Sequence, residues 1–221
     1  MIPLRRRVQL ALIRGRGHYE EIIVKAIAGA GVSVWIGTAN VKELHIEAPI
    51  GSRARARGRY MSILELFDTL LGRGVELRLL HGGLPSRAFR EELRRRPRLL
   101  AGGLAMRRCP RVHLKMIAVD GAMLYLGSAN FTGAGLGAKS DGRRNFEAGI
   151  ATDDEILLDE MQGTFEAIWS GRECGGCGLR SVCPAPIDTL LASRSTGALP
   201  RKSPAVEKTP TGPARKPTRR G

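Results

Sequence analysis

The sequence predicts an α/β domain in which β-strands alternate with α-helices. Short, glycine-bounded segments rich in β-branched residues indicate buried strands, and segments with helical periodicity lie between them. The chain has 28 glycines but only 5% aromatic residues, which is typical of a core built from alanine, leucine, valine and glycine with many turns. Its 221 residues suffice for one medium domain and a tail. This alternation predicts helices layered against a sheet.

The first half of the chain contains two helices and one strand in this interpretation. Apolar residues recur on one helical face from about Tyr19 to Ala30, which predicts an amphipathic helix. Residues 31–41 (GVSVWIGTANV) predict a buried strand. The arginine-rich stretch at 51–59 is expected to be a loop. Met61 to Leu71 has helical periodicity and is followed by glycines that can end a helix.

Strands dominate the second half. Residues 75–83 predict a strand and a turn, and a polar, arginine-rich helix follows from about Ser86 to Arg96. Residues 111–130 predict two strands joined by a turn at Asp120 and Gly121. A further strand at 145–152 precedes a helix from Asp153 to Trp169, which Asp153 or Asp154 could cap.

A formal net charge of +15 and a pI near 10.8 predict a polyanionic partner, either nucleic acid or an anionic membrane surface. An arginine-rich composition throughout the chain would give the same excess without any specific partner. The arginines cluster, however: four occupy alternate positions at 53–59, and nine lie between Arg87 and Arg111 against two glutamates. The second cluster leads into the motif described below, so Arg107, Arg108 and Arg111 are candidate substrate-binding residues.

The ends of the chain carry two further expectations. No apolar run approaches the roughly 20 residues of a membrane span. The apolar stretch from Val8 to Ile13 falls short of the roughly 7–15 residues of a secretory signal, and arginines follow it, so a cytoplasmic protein is expected. Residues 185–221 are rich in proline, serine, threonine, lysine and arginine and lack aromatics, which predicts a disordered basic tail. Such a tail would act as a nonspecific nucleic-acid arm or as a solubilising segment.

The strongest functional signal runs from His113 to Asn130 and has the form H-x-K-x4-D-x6-G-S-x-N. Its fixed positions are His113, Lys115, Asp120, Gly127, Ser128 and Asn130. Six fixed residues at fixed offsets rarely arise by chance; the alternative is a chance strand–turn–strand with buried polar residues. Side chains two apart lie on one face of a strand, so His113 with Lys115, and Ser128 with Asn130, should form one polar patch.

These four residue types suit chemistry at phosphorus. An imidazole can attack phosphorus as a nucleophile and so divide one difficult displacement into two easier ones. The ammonium of Lys115 and the neutral donors of Ser128 and Asn130 can hold phosphate oxygens while charge builds on them. A second group must protonate the leaving oxygen and later activate water, and a histidine suits that role.

The motif resembles the HKD signature of the phospholipase D superfamily, and the likeness extends over roughly residues 19–170. The resemblance implies a mixed sheet flanked by helices, a phosphohistidine intermediate, and two facing motifs that supply nucleophile and acid–base. Only one motif is present, because His18, His45 and His81 lack the H-x-K frame. A homodimer is therefore expected, with His113 of each chain meeting across a twofold axis. The alternative is a half-site that is inactive alone.

The same resemblance implies that Glu147 hydrogen-bonds the catalytic histidine and selects its tautomer. Seventeen positions separate Glu147 from Asn130, with a glycine-rich insertion between them. Asp120 is expected to set the turn and to pair locally, without transferring a proton. Because no cluster of carboxylates indicates a catalytic magnesium ion, the reaction is expected to tolerate EDTA.

The four cysteines form a pattern of their own. Cys174, Cys177 and Cys183 follow the spacing C-x2-C-x5-C-P, and Cys109 lies four residues before His113. In a cytoplasmic chain this spacing favours a metal site over disulfides, and both structural zinc and a [4Fe-4S] cluster take four thiolates. About a dozen residues resemble the iron–sulfur staple of RecB-type and Cas4-like nucleases, which implies a cluster. Zinc and unbound thiols remain alternatives.

The sequence thus divides into a catalytic HKD domain at 1–170, a cysteine-rich metal-binding segment at 171–184 that works with Cys109, and the tail. The arginine clusters, the tail and the cysteine pattern favour a nuclease acting on DNA or RNA. A lipid phosphodiesterase or phosphatidyltransferase would call for a membrane-docking helix or a second motif, and the sequence has neither. A noncatalytic nucleic-acid-binding subunit is the third alternative, against which the complete motif argues.

Overall fold

A seven-stranded mixed sheet forms the centre of the domain in the computed structural model, which describes residues 7–48 and 53–188. In chain order the strands are β1 (Ala11–Arg14), β2 (Ser33–Thr38), β3 (His45–Glu47), β4 (Tyr60–Ser62), β5 (Glu76–His81), β6 (Leu104–Arg108), β7 (Lys115–Val119), β8 (Met123–Gly127) and β9 (Ala148–Thr152). The order across the sheet is β1-β9-β8-β7-β2-β5-β6, and β3 pairs with β4 separately. Strands β2, β5 and β6 are parallel to one another, whereas the other pairings in this sheet are antiparallel.

Four helices cover the two faces of this sheet. They are α1 (His18–Ile27), α2 (Ile63–Gly72), α3 (Arg87–Arg94) and α4 (Glu155–Trp169). Short helical turns occur at Arg53–Ala56, Leu99–Gly103, Asp141–Arg143, Arg172–Cys174 and Arg180–Val182. The predicted α/β class, with helices flanking a mixed sheet, is confirmed.

Side-chain caps explain where three helices begin. The hydroxyl oxygen of Ser62 accepts a hydrogen bond from the amide of Leu64 at the start of α2. Ser86 caps α3 in the same way, and Asp154, not Asp153, caps α4. Each cap satisfies an amide that would otherwise lack an intrahelical partner.

Two apolar cores lie on opposite faces of the sheet. Helices α1, α2 and α3 pack on one face, where Ile117 and Val119 of β7 point. Helix α4 packs on the other face, against Met116 and Ala118 of the same strand. Successive side chains of a strand alternate between faces, so β7 contributes to both cores. This double burial fits the nearly continuous apolar run that precedes Asp120.

The topology gathers several strand termini at one end of the sheet, the side where β2, β5 and β8 finish and β7 begins. Thr38, the last residue of β2, pairs with both His81 of β5 and Lys115 of β7. Gly127 at the end of β8 pairs with Gly149, and Arg14 at the end of β1 pairs with Ala148. We call this end of the strands the site end of the sheet and the other end of the strands the opposite end.

Four strands (β1, β3, β4 and β6) and the five short helical turns were missed in the sequence. Strands β1 and β6 are the outermost strands, and β1 buries only Ile13. An edge strand packs against fewer neighbours, so it needs no strong apolar pattern. The expected loop at 51–59 was wrong in part, because Arg53–Ala56 form one helical turn.

The expected tail falls almost wholly outside the described residues, which end at Asp188. Within residues 185–188, the side chain of Ile187 is buried. Among the described residues, no helix has the length and apolar character needed to cross a membrane.

Candidate active site

His113 and Lys115 lie together at the site end, although only Lys115 belongs to a strand. Lys115 is the first residue of β7, and His113 lies in the loop that leads into it. The ammonium nitrogen of Lys115 lies 3.1 Å from Nδ1 of His113 and donates to its backbone carbonyl at 2.9 Å. The His113 side chain is exposed and that of Lys115 is half-buried. The sequence thus places an accessible imidazole beside a fixed positive charge.

Ser128 and Glu147 form the second part of the site. Ser128 directly follows β8, and its hydroxyl donates to Oε2 of Glu147 and accepts from the amide of Ala148 at 3.1 Å. Asn145 donates to Oε1 of Glu147 at 3.1 Å. Because the single hydroxyl proton of Ser128 is directed to Glu147, Ser128 orients this carboxylate and is not free to donate to a phosphate.

Glu147 was expected to hydrogen-bond the catalytic histidine. Among the described residues of one chain, its hydrogen bonds come from Ser128 and Asn145 instead. Its negative charge still acts on Lys115: burial lowers the pKa of the lysine, and Glu147 opposes that shift. The carboxylate therefore helps to retain the charge of the lysine within the site.

Asn130 completes the group of polar side chains. Its Oδ1 accepts hydrogen bonds from the amide of Asn40 at 3.1 Å and the hydroxyl of Thr38 at 3.4 Å. Within the described part of the chain, the Nδ2 group has no hydrogen-bond partner. Since its oxygen is held by the loop after β2, the amide group is oriented with its N–H donors available to a ligand.

Asp120 lies away from these residues, at the opposite end of the sheet. Five strand positions at about 3.3 Å each separate it from Lys115 by roughly 16 Å. Its carboxylate accepts hydrogen bonds from the amides of Gly31, Val32 and Ser33, at 2.8–2.9 Å. The expectation of local pairing was wrong, because these partners lie 87–89 positions earlier in the chain.

The Asp120 turn also explains the residue type at that position. Asp120 has a φ of 56°, a left-handed conformation that aspartate tolerates better than most residues. Burial alone would raise the pKa of its carboxyl group, but the three backbone N–H donors outweigh burial and lower it. Asp120 therefore fixes the start of β2 to the turn after β7.

Sequence comparison identifies this arrangement. The family described as cardiolipin synthase, PLD-like domain, matches residues 23–169, which is more than half of the chain. The chain belongs to this family. It is thus a member of the phospholipase D-like superfamily of phosphodiesterases, as the HKD motif indicated. No curated protein matches the sequence at a significant level.

Three solved structures resemble this chain at low sequence identity. NucT from Helicobacter pylori is 14% identical, with a TM-score of 0.50 over 72% of this chain and 94% of that one. Nuc from Salmonella typhimurium, a phospholipase D family member, is 17% identical, with a TM-score of 0.49 over 74% and 95% of the two chains. Phosphatidylserine synthase from Haemophilus influenzae Rd KW20 is 15% identical, with a TM-score of 0.47 over 88% and 47%. At such low identity, these likenesses concern the fold alone.

The arginines between 87 and 111 do not gather at the PLD-like site as their sequence proximity suggested. Near the far end of α3, Arg96 pairs with Glu92 and Arg98 with Asp68. The fold therefore already neutralises these two cations.

The three candidate substrate-binding arginines have different surroundings. Arg107 stacks on the ring of Trp169, 4.5 Å from its centroid, and donates to its backbone carbonyl. Arg108 donates to the carbonyl of Gly82 at 3.2 Å. Arg111 is exposed and contacts the thiol of Cys177. Contacts within the chain thus engage all three.

Other cations surround the site end, and the sequence did not single them out. They are Arg14, Lys42, Lys139 and Arg143. All four are exposed, and none has an ion-pair partner among the described residues. They come from the end of β1, the loop after β2 and the connection between β8 and β9, so only the tertiary structure brings them to the site end.

His18 is a buried residue near the site that sequence reasoning set aside. Its ring packs edge-on against Tyr125, with centroids 5.6 Å apart, and its Nδ1 lies 3.1 Å from the carbonyl of Gly15. Burial lowers the pKa of His18, and the charge of Glu147 partly opposes this. The Tyr125 ring runs beneath Gly127 and Gly149, where any larger side chain would collide with it. This packing supports the strand ends that carry Ser128 and Glu147.

All four cysteines line a single cavity on the α4 side of the sheet. Each is half-buried and has a free thiol. A hydrogen bond from the amide of Leu179 and the guanidinium of Arg111 lower the pKa of the Cys177 thiol. Among the described residues, no three histidine, cysteine or acidic side chains lie close enough together to hold a single metal ion.

Proposed function

We propose that this chain is a metal-independent nuclease that hydrolyses phosphodiester bonds of DNA or RNA through a phosphohistidine intermediate at His113. The observation that carries the proposal is the surface around that residue: Arg14, Lys42, Lys139 and Arg143 are exposed there without ion-pair partners among the described residues. Unpaired cations around an accessible nucleophile suit a substrate with phosphates on both sides of the scissile bond.

The first step forms a bond between a ring nitrogen of His113 and phosphorus and breaks the bond to the leaving oxygen. Lys115 and the Nδ2 group of Asn130 stabilise the negative charge on the non-bridging oxygens. In the second step water attacks phosphorus, the N–P bond breaks, and the imidazole is regenerated. The leaving oxygen takes up a proton in the first step, and water loses one in the second.

A second imidazole is required for that proton transfer, and a homodimer supplies it in this proposal. His18 and His81 are buried, and a ring nitrogen of each lies near a backbone carbonyl. His45 is on β3, outside the seven-stranded sheet. The exposed His113 at the site end can instead meet His113 of the partner subunit across a twofold axis.

Assays on a panel of substrates test the reaction. Single- and double-stranded DNA and RNA are incubated with the full chain in EDTA, beside phosphatidylcholine and cardiolipin vesicles. We expect cleavage of at least one nucleic acid and its loss in His113→Ala. The matched control is His45→Ala, which removes another exposed imidazole and should retain activity. Lipid turnover without nucleic-acid cleavage would establish the lipid phosphodiesterase alternative.

Mixed dimers test the shared site. Wild-type and His113→Ala chains with different tags are co-expressed, and the mixed species is isolated. Each composite site then has one imidazole, so the mixed dimer should lose nearly all activity. Full activity per wild-type chain would refute the shared site while leaving the nuclease proposal intact.

A further inference from the structure

The segment after α4 has almost no apolar core of its own. From 172 to 186 it forms two short helical turns and no strand. No side chain in this range is fully buried, and the half-buried ones are Cys174, Cys177, Cys183, Ala185 and Pro186. Three of these five residues are cysteines, and all three line the cavity described above.

The fourth cysteine reaches this cavity from another part of the fold. Cys109 follows β6, and its amide donates to the carbonyl of His81 at 2.9 Å. Its own carbonyl accepts from the amide of Val112, immediately before His113, at 2.9 Å. Every cysteine of the chain therefore faces one cavity of about 580 Å³ between the loop that leads to His113 and the C-terminal segment.

Backbone hydrogen bonds form tight turns at the cysteines of the segment. The amide of Cys177 donates to the carbonyl of Cys174 at 3.2 Å, and that of Cys183 donates to Arg180 at 3.4 Å. These turns account for local shape but not for attachment to the rest of the domain. Small segments without a core are commonly stabilised by a structural metal or by disulfides.

We propose that Cys109, Cys174, Cys177 and Cys183 bind one four-thiolate metal centre that fastens the C-terminal segment to the loop preceding His113. The proposal goes beyond the nuclease function and does not depend on it. A zinc ion needs every sulfur at about 2.3 Å, whereas an iron–sulfur cluster spans a wider ring of ligands. The four cysteines that line this one cavity supply the number of thiolates that either centre requires.

The composition of the centre is tested on the full chain purified without oxygen. Iron, acid-labile sulfide and zinc are measured per chain, together with the visible spectrum. Stoichiometric iron and sulfide with broad visible absorption identify a cluster; colourless protein with one zinc per chain identifies a zinc centre. Protein that holds neither metal and has four freely alkylated thiols overturns the proposal.

Protection of the thiols tests whether the four cysteines act together, without any substitution. The wild-type chain is alkylated with and without prior treatment with a strong chelator, and each cysteine is followed by mass spectrometry. A shared centre protects all four cysteines and releases all four together. If Cys109 is alkylated at the same rate in both states, it is not a ligand and the proposal fails.

The fastening is tested by trypsin cleavage after the exposed Arg172. Cys109→Ser should lower the metal content and accelerate this cleavage as much as Cys183→Ser does, although residue 109 lies far from the cleaved bond in sequence. The matched control is Ser181→Ala, which changes the same segment without touching a thiol. Metal content and cleavage rate that stay unchanged in Cys109→Ser would exclude a centre shared between the two segments.

Discussion

The polar residues at the two ends of β7 differ in how fully their hydrogen bonds are satisfied, although both sets belong to one motif. At the opposite end, the Asp120 carboxylate is satisfied by three backbone amides from the start of β2. At the site end, the imidazole of His113 is exposed and the Nδ2 group of Asn130 has no partner among the described residues. Buried or satisfied polar groups stabilise a fold, whereas polar groups left with free donors can bind a ligand.

The cations show the same contrast. Arg96 and Arg98 form ion pairs with Glu92 and Asp68, whereas Lys139 and Arg143 at the site end have no such partner among the described residues. A high net charge alone therefore does not locate a binding surface. The distinction depends on which cations the fold already neutralises.

Removal of Lys115 should have the largest effect and should separate activity from stability. We expect Lys115→Met to lower kcat about 10²–10³-fold, as loss of one transition-state donor commonly does. The free energy of unfolding should not fall, because burial lowers the pKa of this lysine and so disfavours its charged form in the folded state. Kinetics and chemical denaturation of the same preparation measure both quantities. Lys25→Met, on α1, is the control.

Asp120→Ala should give the reverse result. It removes three charge-assisted hydrogen bonds and places alanine at a φ of 56°. We expect a loss of about 2–4 kcal/mol in unfolding free energy, with kcat of the folded fraction nearly unchanged. Exposed Asp159→Ala serves as the control. A large fall in kcat at full stability would place Asp120 in the chemistry after all.

The pH dependence sharpens the same prediction. Because the folded-state pKa of Asp120 is lowered, its contribution to stability is complete above the ordinary aspartate value and is lost as pH falls through the folded-state pKa. The free energy of unfolding of the wild type should therefore exceed that of Asp120→Asn at neutral pH, and this difference should disappear only in acid. Denaturation curves from neutral pH to pH 3 measure this; an advantage that persists unchanged to pH 3 would contradict it.

Charge reversal at the site end should have a smaller effect on binding. In a His113→Ala background, Lys139→Glu and Arg143→Glu should each weaken nucleic-acid binding about three- to tenfold at moderate salt and reduce the slope of log K against log salt by roughly 0.7–0.9. Arg73→Glu reverses an exposed charge just before β5, at the opposite end, and should change binding less. Equal losses for all three variants would indicate that net charge, and not the site surface, controls affinity.

Glu43 should give the smallest effect, opposite in sign to that of Asp120. Burial raises its pKa to about 7, although the hydroxyl of Ser62 donates to it at 2.6 Å. Because the carboxyl pKa is raised in the folded state, the contribution of Glu43 to stability falls as pH rises from its pKa in the unfolded chain to about 7. Glu43→Gln should thus gain about 1 kcal/mol relative to the wild type between pH 5 and pH 8. Parallel stability curves for the two proteins would show that Glu43 does not titrate in this range.

Much of the fold could be predicted locally, and the exceptions have physical causes. The caps at Ser62, Ser86 and Asp154 lie within a few residues of the amides they satisfy, so short-range patterns reveal these helices. The edge strands β1 and β6 escaped because they bury few side chains. The arginine cluster in the sequence did not indicate a binding surface by itself, because several of its members form ion pairs with Glu91, Glu92 and Asp68.

The spacing from His113 to Asn130 determined by itself the superfamily, the candidate reactive residues and the turn at Asp120, because those features depend on residue types at fixed offsets. Only the tertiary structure decided that Asp120 binds the start of β2, that Ser128 directs its proton to Glu147, and that Cys109 shares a cavity with Cys174, Cys177 and Cys183. Each of these contacts joins residues that are distant in sequence and are brought together by strand order and packing. A local sequence pattern therefore cannot predict them.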